Sequence, residues 1–482
     1  MNCVEHFFEH SKDSATEFVV GKKQLTFSEL YEKVSVLSKY IYREVGNNRH
    51  VMLLSENSIE FIVVYLAIMK SGNVCVPLDP RTEKGNLDYI IDSTKTTMVF
   101  ASQMASKTLA LSNNITQVLT SEIDNIKNDT AIDLPNTKAG DIAQIIFTSG
   151  STGVPKGVMI SHGNLIANTG SIVEYLELTE NDRMMVVMPF YYCYGLSLLH
   201  THLRVGGSII MHNSFMFLGA IIKDIKEYKC TGFAGVPSHF QYLLRKTQSF
   251  KTTEFPDLRY VTQAGGKLST VFIDEFIEAH PNVAFYVMYG QTEATARLSY
   301  LPPEEYKNRK GSIGRGIPGV ELKIVDANGE KINPGDTGEI IAKGDNIMQG
   351  YFCDPETTTA TIKNGWLYTG DLASYDNDGY IYHQSRQKEI IKVSGKRVSP
   401  KEIEDVILQI PEVIDCSIKA IEDEIQGEAI KAILMVEPAA KDKITEVVIK
   451  EHCAKNLAMH KIPRVVEFQS SIKLTASGKK AI

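Results

Sequence analysis

Apolar positions in the first half of the chain follow two alternating periods. In LTFSELYEKVSVLSKYI, residues 25–41, the side chains of Leu30, Val34, Leu37 and Ile41 fall on one helical face. Asn57, with Glu60 three positions on, predicts a capping box that opens a helix running through Met69. Gly72 breaks that helix, and NVCVPL after it has the unbroken apolar character of a buried strand. Such alternation predicts a layered α/β architecture. Residues 102–140 are polar and carry little pattern.

From about residue 311 the pattern changes to short strands and glycine turns. Asn328-Gly329 and Asp378-Gly379 signal hairpins, so a small β-rich subdomain is expected here. A boundary follows near HQSRQKE, residues 383–389. Beyond it, Ser399-Pro400-Lys401-Glu402 offers an N-cap, a proline at N1 and a glutamate at N3, and Pro411 stops the helix so begun. Two strand-like segments (413–421 and 428–437), a helix (445–457) and the strand VVEF complete a small α+β unit over 389–482. The expected division is 1–387 and 389–482, with Lys388 between them.

One stretch fits no periodicity. FTSGSTGVPKGV, Phe147 to Val158, is almost wholly Gly, Ser, Thr and Pro with one Lys, yet IIF precedes it and VMI follows it. A flexible surface turn is the plain reading of such residues. Against it stand the apolar, strand-like flanks and the single lysine among residues of minimal bulk. Held at both ends, the loop can turn backbone N–H groups, hydroxyls and the Lys156 ammonium toward one point, as a polyphosphate cradle does. It is not a Walker A loop, because Gly157, with no hydroxyl for magnesium, follows Lys156. The metal ligand must then come from elsewhere, and a carboxylate suits magnesium.

Composition narrows the class. The 482 residues are 43% hydrophobic and 23% charged, as in ordinary globular proteins, and exceed one ordinary core. A net charge of −7 gives no electrostatic footprint for nucleic acid. Seven scattered cysteines without a C-x-x-C pair argue against a disulfide framework and for a reducing compartment. No secretory leader is recognisable, and the longest apolar run, FIVVYLAIM, falls far short of the roughly 20 residues needed to span a bilayer. A cytoplasmic enzyme is expected.

FTSGSTGVPKGVMISHGNL resembles the phosphate loop of the adenylate-forming superfamily, which comprises acyl-CoA synthetases, peptide-synthetase adenylation domains and luciferases. Further matches follow in the family's order: LTFSELYEKV, MKSGNVCVPLDP, AGGKL (264–268), YGQTEAT (289–295), GEIIAKGDNIMQGY (338–351), YTGD (368–371), SRQKEIIKVSGKRVSPKEIE (385–404) and SGK (477–479). The resemblance covers nearly the whole chain and is nearest to AMP-forming acyl-CoA ligases. It implies a large α/β N-terminal domain hinged to a small α+β C-terminal one. It also implies ATP-dependent activation of a small-molecule carboxylic acid to an acyl-adenylate, with Mg2+. A thiol then displaces AMP, either coenzyme A or the phosphopantetheine arm of an acyl or peptidyl carrier protein.

The resemblance also assigns roles. Thr148, Ser149, Gly150, Ser151, Thr152, Gly153 and Lys156 would hold the β- and γ-phosphates. Gly265 and Gly266 would admit the adenine edge, Tyr289 and Gly290 would lie against the base, and Thr292 would sit near the α-phosphate. Glu293 would bind magnesium, and Asp371 and Arg386 would take the ribose. Lys479 would serve adenylation, while Lys392 and Gly395 would serve thioester formation after a swing about Lys388. Tyr191, Tyr192, Tyr194 and Val236 would line the acyl pocket, as core or as wall.

Three departures from the family's pattern carry meaning. Tyr192 stands where many relatives keep a His or an Asp, which disfavours an amino-acid substrate. The Gly before the hinge-proximal Arg is Ser385, and the sequence ends three residues after Lys479. HTH, residues 200–202, with His212 could suggest zinc, but a fourth ligand at suitable spacing is lacking.

Overall fold

A computed structural model describes residues 1–107, 109, 111, 114–148, 154–423 and 427–472, less the side chain of Lys388. The helix Phe27–Val45 buries Leu30, Val34, Leu37 and Ile41, as their spacing predicts, and a Thr26–Glu29 capping box starts it. The helix Ile59–Lys70 starts one residue later than expected. Ser58 caps it by accepting from the Phe61 N–H at 3.0 Å. Asn57 is drawn away instead: its amide donates to Met188 O at 2.9 Å and its carbonyl accepts from Phe190 N at 2.8 Å. A buried amide that can tie down a distant main chain is worth more there than at a helix end that a serine can serve.

Val74–Leu78 is a fully buried strand in a seven-stranded sheet. Its neighbours are His50–Leu54 and Ile142–Thr148, and the latter pairs antiparallel with Lys156–Ser161. A second, nine-stranded sheet has a parallel centre in which Arg183–Val186, Gly232–Gly235, Tyr260–Gln263 and Ala284–Tyr289 lie side by side. The carboxyl ends of the last three strands therefore open on one crevice, where ligands of open α/β sheets bind.

The β-rich unit is a five-stranded antiparallel sheet of Val320–Val325, Gly338–Gly344, Ile362–Lys363, Trp366–Tyr375 and Ile381–Arg386. Asp378-Gly379 closes a hairpin as predicted, with Asp376 Oδ1 accepting from the Asp378 and Tyr380 N–H groups, both at 3.0 Å. Asn328-Gly329 forms only a local turn, because its strand pairs with Gly338–Gly344 across the longer connection 326–337.

In the small C-terminal domain, Val413–Asp423, Gly427–Val436, the helix Glu446–Asn456 and Val465–Phe468 stand where the pattern placed them. The helix Pro400–Ile407 has its proline at N1, but Ser399 does not cap it; its hydroxyl donates to Gln384 O at 3.0 Å, tying the domain to the β-rich unit. No helix among the described residues is long and apolar enough to cross a membrane.

The helix Pro237–Arg245 grips the C-terminal domain. Arg245 is buried, pairs with Glu275 at 2.7 Å, and donates to the carbonyls of Leu408 and Ile410 at 3.1 Å and to that of Val413. Gln241 adds a bond to Asp415 at 3.2 Å, and Lys267 pairs with Asp405 at 2.7 Å nearer the surface. Arg245→Ala should destabilise the docked C-terminal domain by about 3 kcal/mol. That is about 1 kcal/mol for each of the three carbonyl bonds that cross to that domain. Lys267→Ala, at a half-exposed pair, should lower it by about 1 kcal/mol or less. Urea unfolding followed by limited proteolysis of the C-terminal domain separates the two; equal effects would remove Arg245 as the main grip.

Candidate active site

The glycine-rich loop is closed at its base. Thr148 and Lys156 are register partners across the hairpin, and the Thr148 hydroxyl donates to Lys156 O at 3.4 Å. Gly157 is obligatory, since a Cβ there would come within 2.8 Å of Ile145 Cγ2. Ser149, Gly150, Ser151, Thr152 and Gly153 lie outside the described residues. The Lys156 ammonium donates to Thr357 Oγ1 at 3.2 Å, lies 3.9 Å from Asp354, and sits over the Tyr351 ring at 5.4 Å. The lone cation of the loop is therefore held by weak, exchangeable partners at the loop's mouth.

The strand Ala284–Tyr289 delivers the next group. Only glycine fits at Gly290, where a Cβ would stand 1.9 Å from Ala296 O. The following 3-10 turn, Thr292–Ala294, ends in the left-handed Thr295, whose hydroxyl donates to Asn346 O at 2.6 Å. This fixes Glu293: its carbonyl accepts from Met348 N at 2.9 Å, and its Oε1 accepts from the Tyr351 hydroxyl at 2.9 Å. Burial, with the Glu293 charge, pushes the Tyr351 phenol up, so it remains a proton donor to that carboxylate. Thr292 Oγ1 lies 3.6 Å from Cys193 Sγ, at the start of the helix Cys193–Val205.

Asp371 is 2% exposed and is the centre of the ribose candidate. Its Oδ2 accepts from the Tyr289 hydroxyl at 2.7 Å, and Arg386 Nε and His383 Nε2 lie 3.1 and 3.5 Å from Oδ1. Neither nitrogen is aligned for a good hydrogen bond, so Oδ1 is a buried carboxylate oxygen without a hydrogen-bond partner among the described residues. Burial alone would raise the Asp371 pKa; His383, Arg386 and Tyr289 outweigh it and hold the carboxyl below the usual range. The Tyr289 phenol moves the other way, raised by burial and by Asp371. A charged, buried acceptor with spare capacity is what a vicinal diol would satisfy.

The remaining expected residues divide. Gly265 has a φ of +84°, a conformation glycine adopts readily, just beyond the strand Tyr260–Gln263, and Gly266 follows it. Phe190 is core, packed on Phe61 with ring centres 5.7 Å apart. Tyr191 reaches Arg81 at 3.5 Å and lies against Tyr192, with ring centres 5.0 Å apart. Tyr194 is buried and donates to Thr262 O at 3.0 Å, and Val236 is fully buried at the head of the Pro237 helix. Lys392 is exposed on Ile391–Val393 and Gly395 turns at φ +77°; the described contacts do not bring them to the crevice. The Lys388 side chain and Lys479 lie outside the described residues. The histidines of HTH are used internally: His200 meets the Tyr65 hydroxyl at 2.9 Å and His202 meets Leu198 O at 2.9 Å, while His212 meets Asp224 at 2.8 Å.

Sequence reasoning missed Tyr351 and His383 as site residues. Each stood inside a quoted motif, MQGY and HQSRQKE, but their partners Glu293 and Asp371 are 58 residues distant and 12 residues distant respectively, so no local pattern marks them.

The family model of the AMP-binding enzyme matches residues 5–352, and that of the AMP-binding enzyme C-terminal domain matches 402–479. The chain belongs to the AMP-binding enzyme family. Relatives of this family member include an oxalate–CoA ligase of Arabidopsis thaliana, 30% identical over 96% of this chain and 93% of that protein. A feruloyl-CoA synthase of an Amycolatopsis species is 29% identical, over 96% and 94%. Among solved structures, ATP-bound MatB from Rhodopseudomonas palustris superposes with a TM-score of 0.88 at 25% identity, over 99% of this chain and 97% of that one. The anthranilate CoA ligase AuaEII with anthranoyl-AMP shares the fold at a TM-score of 0.90 and 24% identity, over 100% and 95%. The protein is an AMP-forming acyl-CoA ligase that works through an acyl-adenylate.

The Asp371 cluster makes a pH prediction. Its folded pKa lies below the unfolded value, so the carboxylate stabilises the fold above about pH 3.9 and loses that contribution as pH falls through the lowered pKa. Asp371→Asn should melt lower at neutral pH and lose less on acidification than the parent. Melting curves between about pH 3 and 7 check this; parallel acid limbs would show that Asp371 is not stabilised as its neighbours imply.

Proposed function

We propose that Asp371, with Arg386 beside it, binds the ATP ribose, and that this cradle orients the α-phosphate toward Thr292. The unfilled buried oxygen of Asp371 carries the reading. Lys156 and the hydroxyls of its loop would take the β- and γ-phosphates, Lys156 exchanging Thr357 and Asp354 for phosphate oxygens. Glu293, held by Tyr351, is the carboxylate that suits magnesium, which when bound would neutralise phosphate charge. Gly265, Gly266, Tyr289 and Gly290 would form the adenine slot, where backbone approach needs the absence of side chains.

In the first half-reaction an oxygen of the substrate carboxylate attacks the α-phosphorus and pyrophosphate leaves. Negative charge gathers on the transferring oxygens, and Lys479 is proposed to stabilise it. In the second, the thiol sulfur attacks the acyl carbon and AMP leaves with the bonding pair. Lys392 and Gly395 are proposed to act there after the C-terminal domain turns about Lys388, one site serving two reactions by exchange of faces. The acid is proposed to be a small organic acid rather than an amino acid, since Tyr192 supplies no counter-charge for an α-ammonium group. The reaction is proposed to run in a reducing, cytoplasmic setting that suits seven free cysteines.

The deciding assay is acid-dependent pyrophosphate release across a panel of carboxylic acids, repeated with coenzyme A and with a phosphopantetheinylated carrier. Faster turnover with coenzyme A is expected; a response to the carrier alone would make the enzyme a loading ligase. Lys479→Ala should slow adenylate formation by about 10²–10³ while sparing thioester formation from preformed adenylate. Lys392→Ala should do the reverse. Equal loss of both steps in either variant would overturn the two-face mechanism.

A further inference from the structure

Two arginines are buried among the described residues, Arg245 and Arg297. They are satisfied very differently. Arg245 has Glu275 and three main-chain carbonyls. Arg297 is only 2% exposed, its Nε has no hydrogen-bond partner, and among the described residues no carboxylate forms an ion pair with it. A guanidinium stays protonated at any working pH, so its charge cannot be removed to relieve this.

Its neighbours do not supply an anion. The guanidinium carbon lies 5.0 Å from the centre of the Tyr194 ring, a cation–π contact that offsets only part of the desolvation. Tyr175 is the other aromatic beside it. Burial pushes the Tyr194 phenol up to about 12, Arg297 opposing, and raises that of Tyr175 as well. Both hydroxyls therefore keep their protons and give them elsewhere, Tyr194 to Thr262 and Tyr175 to the Met288 sulfur at 3.1 Å, so that Tyr175 offers the guanidinium only a neutral oxygen as acceptor.

The position is as telling as the charge. Arg297 lies on the loop that carries Thr292 and Glu293. A Cβ on Gly290 would be 2.9 Å from the Arg297 Cα, and Leu298 N donates to Tyr289 O at 2.9 Å. Across from it stands Tyr194, one residue beyond the Cys193 that reaches Thr292. The reacting end of the crevice and the buried cation thus flank a single turn of the Cys193–Val205 helix.

We propose that Arg297 is a specificity-determining residue that binds a second, ionised acidic group of the substrate, so that the acid activated is in the simplest case a dicarboxylic acid. The inference rests on the acyl-adenylate reading and adds to it the substrate's chemical class. One carboxylate is activated beside Thr292 and the other pairs with Arg297. A positively charged wall also accords with Tyr192, which leaves no acid there for an ammonium group.

The test needs no turnover. Hydrolysis-resistant acyl-sulfamoyl adenosines are made from the straight-chain dicarboxylic acids, malonic to adipic, each with its far carboxylate free or as the methyl ester. Binding is measured to the full-length parent and to Arg297→Met and Arg297→Lys, with melting temperature and ATP affinity read alongside. The parent should bind the best free-acid member at least about 10² tighter than its ester, the scale of a buried charge pair. Arg297→Met should lose that preference with ATP affinity kept, and Arg297→Lys should keep part of it.

A parent that binds ester and acid alike at every length overturns the inference and leaves the ligase reading standing. So does an Arg297→Met protein that keeps the preference. If no member binds while AMP does, the dicarboxylic inference falls and the ligase activity stands. Should Arg297→Met fail to fold, the parent's preference across the series decides.

Discussion

The buried carboxylate of Asp371 ties the end of the nine-stranded sheet to two paired strands of the β-rich unit. Tyr289 comes from the end of the nine-stranded sheet, Asp371 from the middle of a strand in the β-rich unit, and Arg386 and His383 from the strand that runs on toward the C-terminal domain. An ionised group cannot be left in a dry interior unpaired, so the same charge draws the Tyr289 end of one sheet against the paired strands of the other. The compensation is incomplete on one oxygen, and that oxygen is the one proposed above to take the ribose. A fully satisfied carboxylate would have been a better staple and a poorer acceptor.

Glu293 repeats the arrangement with a softer partner. A phenol, kept protonated by burial, fixes one of its oxygens without neutralising its charge. The carboxylate is thereby aimed while keeping its charge, which its proposed role toward magnesium requires. Met348 and Asn346, bound to the same turn, carry the segment that bears Tyr351, so the ligand and its orienting group are positioned by one set of main-chain bonds.

Much of this was legible in the sequence where the determining interaction is local. The helix Phe27–Val45, the strand Val74–Leu78, the Asp378-Gly379 hairpin and the order of elements after Val413 all follow from side-chain period and turn chemistry. Legibility failed where a polar side chain is recruited over a distance. Asn57 and Ser399 both looked like helix caps, and both serve remote carbonyls instead, at Met188 and Gln384. At the site, small residues imposed by close packing, such as Gly157 and Gly290, announced themselves as motifs. Tyr351, His383 and Arg297 did not, because each acquires its meaning only from a partner brought near by the fold.

The grip on the C-terminal domain has a property that suits the domain movement proposed above. Arg245 is neutralised by Glu275, which belongs to the same large domain, and only neutral carbonyls of the C-terminal domain complete its shell. Separation would therefore leave Arg245 with its counter-ion. It would exchange carbonyls for water, and water replaces a carbonyl acceptor at a net difference of about 1 kcal/mol per bond. Had Glu275 lain on the C-terminal side, each opening would have stripped a buried guanidinium of its counter-ion, a loss of about 3–5 kcal/mol. Placing the anion on the arginine's own side holds the domains together firmly enough to define one arrangement and loosely enough to leave it.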